Sequence, residues 1–216
     1  MPAARATHAD PAVERLWTGA TVITAVRTVA SLALCLAGLA QDDLAWLVAG
    51  LATYWVGDIA DGAWARLRDC ETRIGATVDI LCDRLNCAAF YLCFAALQHE
   101  MIPPVAVYLV EFMVVDLFLS LAFLAWPVRS PNYFDQVDRR LWTWNWSKPA
   151  KAANSALFAV LLLVTGWWQL GLVIAVGLLV LKCVSVRWLL QLGIPVPGPV
   201  VAGRTAALAR AEQAVR

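Results

Sequence analysis

Residues 58–66 read DIADGAWAR, and after eight further residues positions 75–83 read GATVDILCD. Helix positions three or four apart share a face, so Asp58 pairs with Asp61, and Asp79 pairs with Asp83. Two such helices in antiparallel contact would bring all four carboxylates to one point. Clustered carboxylates repel one another unless cations neutralise them, and all-oxygen ligation favours hard ions such as Mg²⁺ or Mn²⁺. The pattern therefore predicts a two-metal site for phosphoryl chemistry.

The composition of the chain around these stretches is that of a membrane protein. Its 216 residues are 61% hydrophobic and only 15% charged, with a mean hydropathy of +0.67. These values lie outside the range of soluble domains, and no basic domain for binding nucleic acid is visible. We expect an all-α, polytopic bundle of membrane helices.

Six apolar runs are long enough to cross about 30 Å of hydrocarbon. Their predicted bounds are Trp17 to Ala40, Leu44 to Trp64, Ala76 to Leu97, Ile102 to Trp126, Ala150 to Thr165 and Trp167 to Leu190. The chain divides accordingly into a cytoplasmic N-terminal lead-in (1–16), one membrane domain (17–192) and a cytoplasmic C-terminal tail (193–216).

The distribution of basic residues sets the expected orientation. Lys and Arg are concentrated in the loops at 65–75 and 127–149 and in the tail, whereas the opposite connections carry none. By the positive-inside rule, both termini and the aspartate motif face the cytoplasm. We expect an integral protein of the plasma or inner membrane, with its site at the cytoplasmic interface.

With every spacing intact, the motif resembles the signature of the CDP-alcohol phosphatidyltransferase family. Such enzymes transfer a substituted phosphate from a cytidine diphosphate donor, usually CDP-diacylglycerol, to a hydroxyl acceptor and release CMP. The eight motif residues span about 26 positions, which is far more specific than a lone glycine motif. In length and hydropathy the resemblance covers nearly the entire chain, and it implies a homodimer formed through the membrane spans.

The resemblance also assigns roles to the aspartates. It implies that Asp58, Asp61 and Asp79 ligate metal, and that Asp83 helps to hold a second ion while accepting the proton of the attacking hydroxyl. The alternative is that these carboxylates are merely solvated among lipid head groups. Asp79 and Asp83 argue against it, because they continue into an apolar helix where unpaired charge is unfavourable.

The other motif residues are predicted to bind substrate. Gly62 and Gly75 have no side chains, so a nucleotide can approach both helices closely. Arg66 would pair with the donor's pyrophosphate or the acceptor's phosphate in bidentate geometry. Its alternative role is that of a positive-inside anchor.

Arg27 lies within the first predicted span and needs a partner there. The family often has Asn-x-x-Thr-x-x-Arg at this place. Here Thr24 and Arg27 match, whereas Thr21 replaces the asparagine and weakens any assignment of Thr21 to the nucleotide. Arg27 is equally suited to pair with Asp116 or Glu111 in the fourth span, and both interpretations stay open.

Further basic residues are candidates for binding an acceptor phosphate, or else serve as ordinary positive-inside charge. They are Arg129, Arg139, Arg140, Lys148 and Lys151. Arg84 points about 100° away from Asp83 on a helix and is expected to serve a neighbouring helix or a subunit interface. The tryptophans at 142, 144 and 146 are expected at the membrane interface.

The leading hypothesis is a metal-dependent transferase that uses CDP-diacylglycerol, with glycerol 3-phosphate as the favoured acceptor. Phosphatidylglycerol as acceptor, which would make a cardiolipin synthase, is the runner-up. Inositol phosphate, serine or a CDP-aminoalcohol donor with a diacylglycerol acceptor remain open. A transporter that uses Glu111, Asp116 and the motif acids is a remote alternative, because those acids cluster on one side and no inverted repeat is visible.

Overall fold

The computed structural model describes residues 7–9 and 14–195, and within these ranges the regular structure is entirely helical. The predicted all-α bundle is confirmed. Of the predicted terminal segments, residues 1–6, 10–13 and 196–216 lie outside the described residues. The α-helices are α1 (Gly19–Gln41), α2 (Leu44–Leu67), α3 (Arg73–Leu97), α4 (Ile102–Val110), α5 (Leu117–Leu121), α6 (Arg139–Asn145), α7 (Lys148–Lys151), α8 (Leu157–Thr165) and α9 (Trp168–Leu192).

Two π-helical turns join some of these helices into longer rods. Glu111–Asp116 links α4 to α5, and Ala152–Ala156 links α7 to α8. Short 3₁₀ turns at His99–Met101 and Ala122–Ala125 extend the first rod at its two ends, and a further 3₁₀ turn at Pro131–Gln136 precedes α6.

Four helical segments in the described part of the chain are long and apolar enough to cross a membrane. They are Gly19–Gln41, Arg73–Leu97, His99–Ala125 and Trp168–Leu192, which correspond to the first, third, fourth and sixth predicted spans. The helix α2 has 24 residues and a length of about 36 Å, but its polar and acidic residues lower its hydropathy. The two remaining spans, and so the count of six, stay a prediction.

Side-chain caps fix where the motif helices begin. Thr72 is the N-cap of α3, and its Oγ1 accepts from the backbone N–H of Gly75 at 2.9 Å. The carboxylate of Glu14 accepts from the N–H groups of Arg73 at 2.9 Å and Ile74 at 3.1 Å. The segment before α1 therefore satisfies the first amides of the helix that carries two motif aspartates.

The helices α1 and α2 form a tight hairpin in which small residues let the two backbones approach closely. Asp42 ends α1 in the left-handed conformation, with φ of 53°. A Cβ added at Gly50 would lie 2.9 Å from the Sγ of Cys35, and one added at Gly57 would lie 2.5 Å from the Cβ and Cδ of Arg27. This packing holds Arg27 directly against the turn of α2 that begins the aspartate motif.

The segment at 126–147, which follows the first rod, folds back onto the bundle. Trp146 is buried and packs against Phe134, with ring centroids 4.8 Å apart. Trp142 donates its Nε1–H to the carbonyl of Asn132 at 2.9 Å, whereas Trp144 is exposed. Trp146 is enclosed by protein because Phe134 and residues of the neighbouring helices, such as Leu119 and Leu189, form a second core around it. The interfacial position of the three tryptophans stays a prediction.

Candidate active site

The four motif aspartates converge as their spacing predicts. Asp58 and Asp61 project from α2, and Asp79 and Asp83 project from α3. Carboxylate oxygens of Asp58, Asp61 and Asp79 all lie within 4.8 Å of one another. The charged side chain of Arg27, on α1, contacts all four carboxylates.

Arg27 is the centre of this cluster and is only 4% exposed. Its Nε donates to Asp61 at 2.8 Å, and its Nη2 donates to Asp79 at 2.5 Å and to Asp83 at 2.9 Å. The nearest oxygen of Asp58 lies 3.6 Å from the same Nη2. With four carboxylates and one guanidinium, the cluster has a formal charge of −3.

The alternative partners expected for Arg27 are therefore wrong. Asp116 instead pairs with Arg84 at 2.5 Å and with Lys182 at 2.6 Å, which confirms that Arg84 serves a neighbouring helix. Glu111 forms no ion pair among the described residues. Two separate buried charge clusters thus exist, one around Arg27 and one around Asp116.

The two threonines before Arg27, Thr21 and Thr24, both lie at the site, where they line the same cavity. Thr24 donates from Oγ1 to Asp61 at 2.7 Å, so it helps to hold a motif carboxylate. Thr21 shares a 3.0 Å hydroxyl contact with Thr18, the N-cap of α1.

Two cavities meet at the carboxylates. The glycine cavity, of about 90 Å³, is lined by Asp61, Gly62, Arg66, Gly75 and Arg129, among others. The asparagine cavity, of about 200 Å³, is named for Asn132, Asn145 and Asn154 and is also lined by Asp58, Asp83 and Lys151. Asp79 and Asn132 line both cavities. Molecules bound in the two cavities would therefore meet beside Asp79.

The missing side chains of the two motif glycines leave room for specific neighbours. A Cβ at Gly62 would lie 3.1 Å from Nη1 of Arg66, and a Cβ at Gly75 would lie 2.8 Å from Oγ1 of Thr72. Gly62 therefore lets the Arg66 side chain fold along α2, and Gly75 accommodates the cap of α3. Because neither glycine has a side chain, neither one projects into the glycine cavity.

Of the loop cations predicted to bind an acceptor phosphate, some line a cavity and others do not. Arg129 lines the glycine cavity, and Lys151 lines the asparagine cavity. Arg139, Arg140 and Lys148 are exposed and do not line either cavity. Arg140 instead lies over the ring of Trp188, 3.6 Å from its centroid.

Gly57 and Lys182 are among the residues of the site that belong to no motif. Gly57 makes room for the stem of Arg27, and Lys182 completes the cluster around Asp116. Each had a sequence signal: Gly57 directly precedes Asp58, and Lys182 is a cation within an apolar span, where a charge requires a partner.

The donor set of the Arg27 cluster fits a divalent cation. Its oxygens come from carboxylates, the ligands that Mg²⁺ and Mn²⁺ prefer. Asp61 is buried, and one guanidinium leaves a negative charge of three on the cluster. The side chains of Asp58, Asp79 and Asp83 are 44%, 36% and 25% exposed, so further cations can reach the cluster and offset its repulsion.

A family model for CDP-alcohol phosphatidyltransferase matches residues 17–188. The chain belongs to this family. No curated protein and no solved structure matches it. The matched range includes every residue that lines the two cavities. This transferase is an integral membrane phosphotransferase that acts on a CDP-alcohol donor, and its motif aspartates lie where its two cavities meet.

Proposed function

We propose that the protein transfers the phosphatidyl group of CDP-diacylglycerol to a hydroxyl of glycerol 3-phosphate and releases CMP. The observation that carries this proposal is the position of Asp79, which lines both cavities. A donor in one cavity and an acceptor in the other would bring the reacting phosphorus and the attacking oxygen to the same carboxylates. Proximity of this kind supplies a large part of an enzymatic rate enhancement.

The glycine cavity suits the CDP part of the donor. Gly62 and Gly75 allow a nucleotide to lie close to both helices. Arg66 and Arg129 add two guanidinium groups, whose paired N–H donors match the oxygens of a pyrophosphate. These residues would bind the donor and orient its phosphorus toward Asp79.

The four aspartates would together hold two Mg²⁺ or Mn²⁺ ions, since one guanidinium neutralises only one carboxylate; they are Asp58, Asp61, Asp79 and Asp83. Bound ions of this kind supply Lewis acidity to a phosphoryl group and acidify a nearby hydroxyl. Arg27 keeps Asp61 and Asp83 in place through direct hydrogen bonds.

Asp83 is the proposed general base. It lines the asparagine cavity but not the glycine cavity, so it lies on the acceptor side. In the transfer, the acceptor oxygen forms a bond to the phosphorus that carries diacylglycerol, and the bond from that phosphorus to the CMP oxygen breaks. The proton of the acceptor hydroxyl passes to Asp83.

Glycerol 3-phosphate is the proposed acceptor because the asparagine cavity combines Lys151 with the amides of Asn132 and Asn154. A cation and several amides suit a small molecule that has both a phosphate and hydroxyls. Phosphatidylglycerol presents the same glycerol group from a lipid and is the alternative that the assay must distinguish.

We also propose that the site faces the cytoplasm from the plasma or inner membrane and that the protein is a homodimer. The support for the orientation is the asymmetry of Lys and Arg between the two sets of loops. The support for the dimer is membership of the family. Light scattering in mild detergent that shows only monomers would refute the dimer.

The test is CMP release by the purified protein with CDP-diacylglycerol and Mg²⁺ or Mn²⁺. Glycerol 3-phosphate, phosphatidylglycerol, inositol phosphate and serine are supplied separately, and Asp83→Asn serves as the inactive control. We expect release that depends on glycerol 3-phosphate and is lost in the variant. Release with another acceptor alone would correct the substrate, and substantial turnover by Asp83→Asn would refute its role as base.

A further inference from the structure

Buried polar atoms without a hydrogen-bond partner are concentrated around one cavity. Among the described residues, seven buried side-chain nitrogen or oxygen atoms have no partner, and five of them belong to residues that line the asparagine cavity. Native proteins leave few such atoms unpaired, because a buried group that has lost its water is unfavourable without a partner. Their concentration therefore points to a polar ligand.

The five atoms describe the chemistry of that ligand. Arg84 provides two N–H donors, Nε and Nη1, and Trp146 provides a third, Nε1. The Oγ of Ser130 can donate or accept. Oε2 of Glu111 is the one atom of the set that offers only an acceptor when the carboxylate is ionised. A complementary ligand has several oxygens and at least one hydroxyl that donates.

Glu111 is the residue of this set least explained by the fold. It is 1% exposed, it lines the cavity, and it begins the π-helical turn Glu111–Asp116. The second π-helical turn, Ala152–Ala156, contributes Asn154 to the same cavity. Single π-turns within helices occur frequently at functional sites, because they turn side chains away from the regular helix register.

The charges near Glu111 are already paired. Asp116 accepts from both Arg84 and Lys182, and Lys182 also donates to Asn145 at 3.0 Å. These contacts account for the buried ions on the neighbouring helices. They leave the Oε2 of Glu111 without a partner, in a residue that lines the cavity.

Given the proposed transfer, on which this inference rests, we infer that Glu111 selects a polyol acceptor by accepting a hydrogen bond from a second hydroxyl, one that is not attacked. The attacked hydroxyl lies near Asp83, which lines the same cavity. The cavity, of about 200 Å³, is lined by charged side chains and amides, which suit the hydroxyls of a glycerol group. That group is either free glycerol 3-phosphate or the head of phosphatidylglycerol.

The test compares acceptors that differ by one hydroxyl. Glycerol 3-phosphate is paired with 3-hydroxypropyl phosphate, and phosphatidylglycerol with phosphatidylpropanediol. CMP release is measured for the original protein, for Glu111→Met, which removes the acceptor at similar volume, and for Glu111→Gln, which keeps one carbonyl oxygen. Glu100→Met, the same change at an exposed position outside both cavities, is the matched control.

Of the two pairs, the one that supports CMP release is compared. We expect the original protein to prefer its glycerol compound, which has two free hydroxyls, over the analogue with one by at least ~10-fold in kcat/KM, because a buried polar site rejects an analogue that lacks its hydrogen-bonding group. Glu111→Met should reduce that preference to about 1-fold, with the loss mainly in the KM for the acceptor, and Glu111→Gln should retain part of it. The KM for CDP-diacylglycerol should not change in either variant. Glu100→Met should retain the full preference.

The outcomes separate the two proposals. If the original protein releases CMP but does not prefer the glycerol compound, or if Glu111→Met keeps that preference, the role of Glu111 is refuted and the transferase function stands. If no acceptor supports CMP release by protein that is folded and binds CDP-diacylglycerol, the proposed function fails, and the role of Glu111 fails with it. Thermal unfolding of each variant confirms that the compared proteins are folded.

Discussion

Replacing Gly57 with alanine tests whether the position of Arg27 controls the site. The new Cβ would lie 2.5 Å from the Cβ and Cδ of Arg27, whereas ordinary contact begins near 3.4 Å. The Arg27 stem must therefore move by the difference, about 0.9 Å. Its 2.8 Å hydrogen bond to Asp61 would lengthen toward 3.7 Å if the whole displacement reached Nε, beyond the range of a good N–H···O bond.

The expected result is a loss of activity much larger than the loss of stability. A misplacement of about 1 Å typically costs ~100-fold in rate. Overpacking costs about 1–3 kcal/mol, of which alanine recovers roughly 1 kcal/mol through its higher helix propensity. Gly57→Ala should therefore lower kcat for CMP release about 100-fold, while its free energy of unfolding falls by only about 0–2 kcal/mol.

The matched control is Gly177→Ala. Gly177 lies within α9, and a Cβ there would have nothing within 4 Å, so this variant makes the same chemical change without the clash. It should keep the activity of the original protein and gain roughly 1 kcal/mol in free energy of unfolding through the higher helix propensity of alanine. The reasoning is refuted if folded Gly57→Ala retains kcat within about 2-fold of the original, since Arg27 would then tolerate displacement.

Two more perturbations probe the charge clusters. Removing divalent cations with EDTA should abolish CMP release, because four carboxylates facing one guanidinium would repel the donor's pyrophosphate. Adding Mg²⁺ or Mn²⁺ should restore the release. Full activity in EDTA would contradict the metal assignment. Lys182→Met should lower the free energy of unfolding by about 3–5 kcal/mol, since it breaks a buried ion pair with Asp116. Lys148→Met, the same change at an exposed position, should alter the free energy of unfolding by no more than about 0.5 kcal/mol. If Lys182→Met and Lys148→Met lowered the free energy of unfolding equally, the importance of burial would be refuted.

The convergence of the aspartates was predictable because it depends on local periodicity. Helix geometry alone places Asp58 with Asp61, and Asp79 with Asp83, whatever surrounds them. The partner of Arg27 was not predictable in the same way. Hydropathy identifies helices but not how they are rotated relative to one another. It therefore could not decide whether Arg27 pairs with the motif aspartates or with the acids of the fourth span.

Other features depended on contacts that no local pattern describes. The burial of Trp146 requires the segment at 126–147 to pack against residues of distant helices, such as Leu119 and Leu189, which is a property of the whole bundle. The acids Glu111 and Asp116 stand out in an apolar span, but the sequence gives no sign of the π-turn that runs between them. The function class follows from the local motif, whereas the acceptor cavity is built from these distant parts of the chain.

The location of Arg27 on the first helix also has a consequence for biogenesis. When α1 is synthesised, its guanidinium has no partner: Asp61 follows 34 residues later and Asp79 follows 52 residues later. A lone arginine at the centre of a membrane helix costs at least about 2.5–3.5 kcal/mol on translocon scales. We therefore expect α1 to leave the insertion machinery together with α2, as a helical hairpin whose first ion pair forms before α3 enters the bilayer.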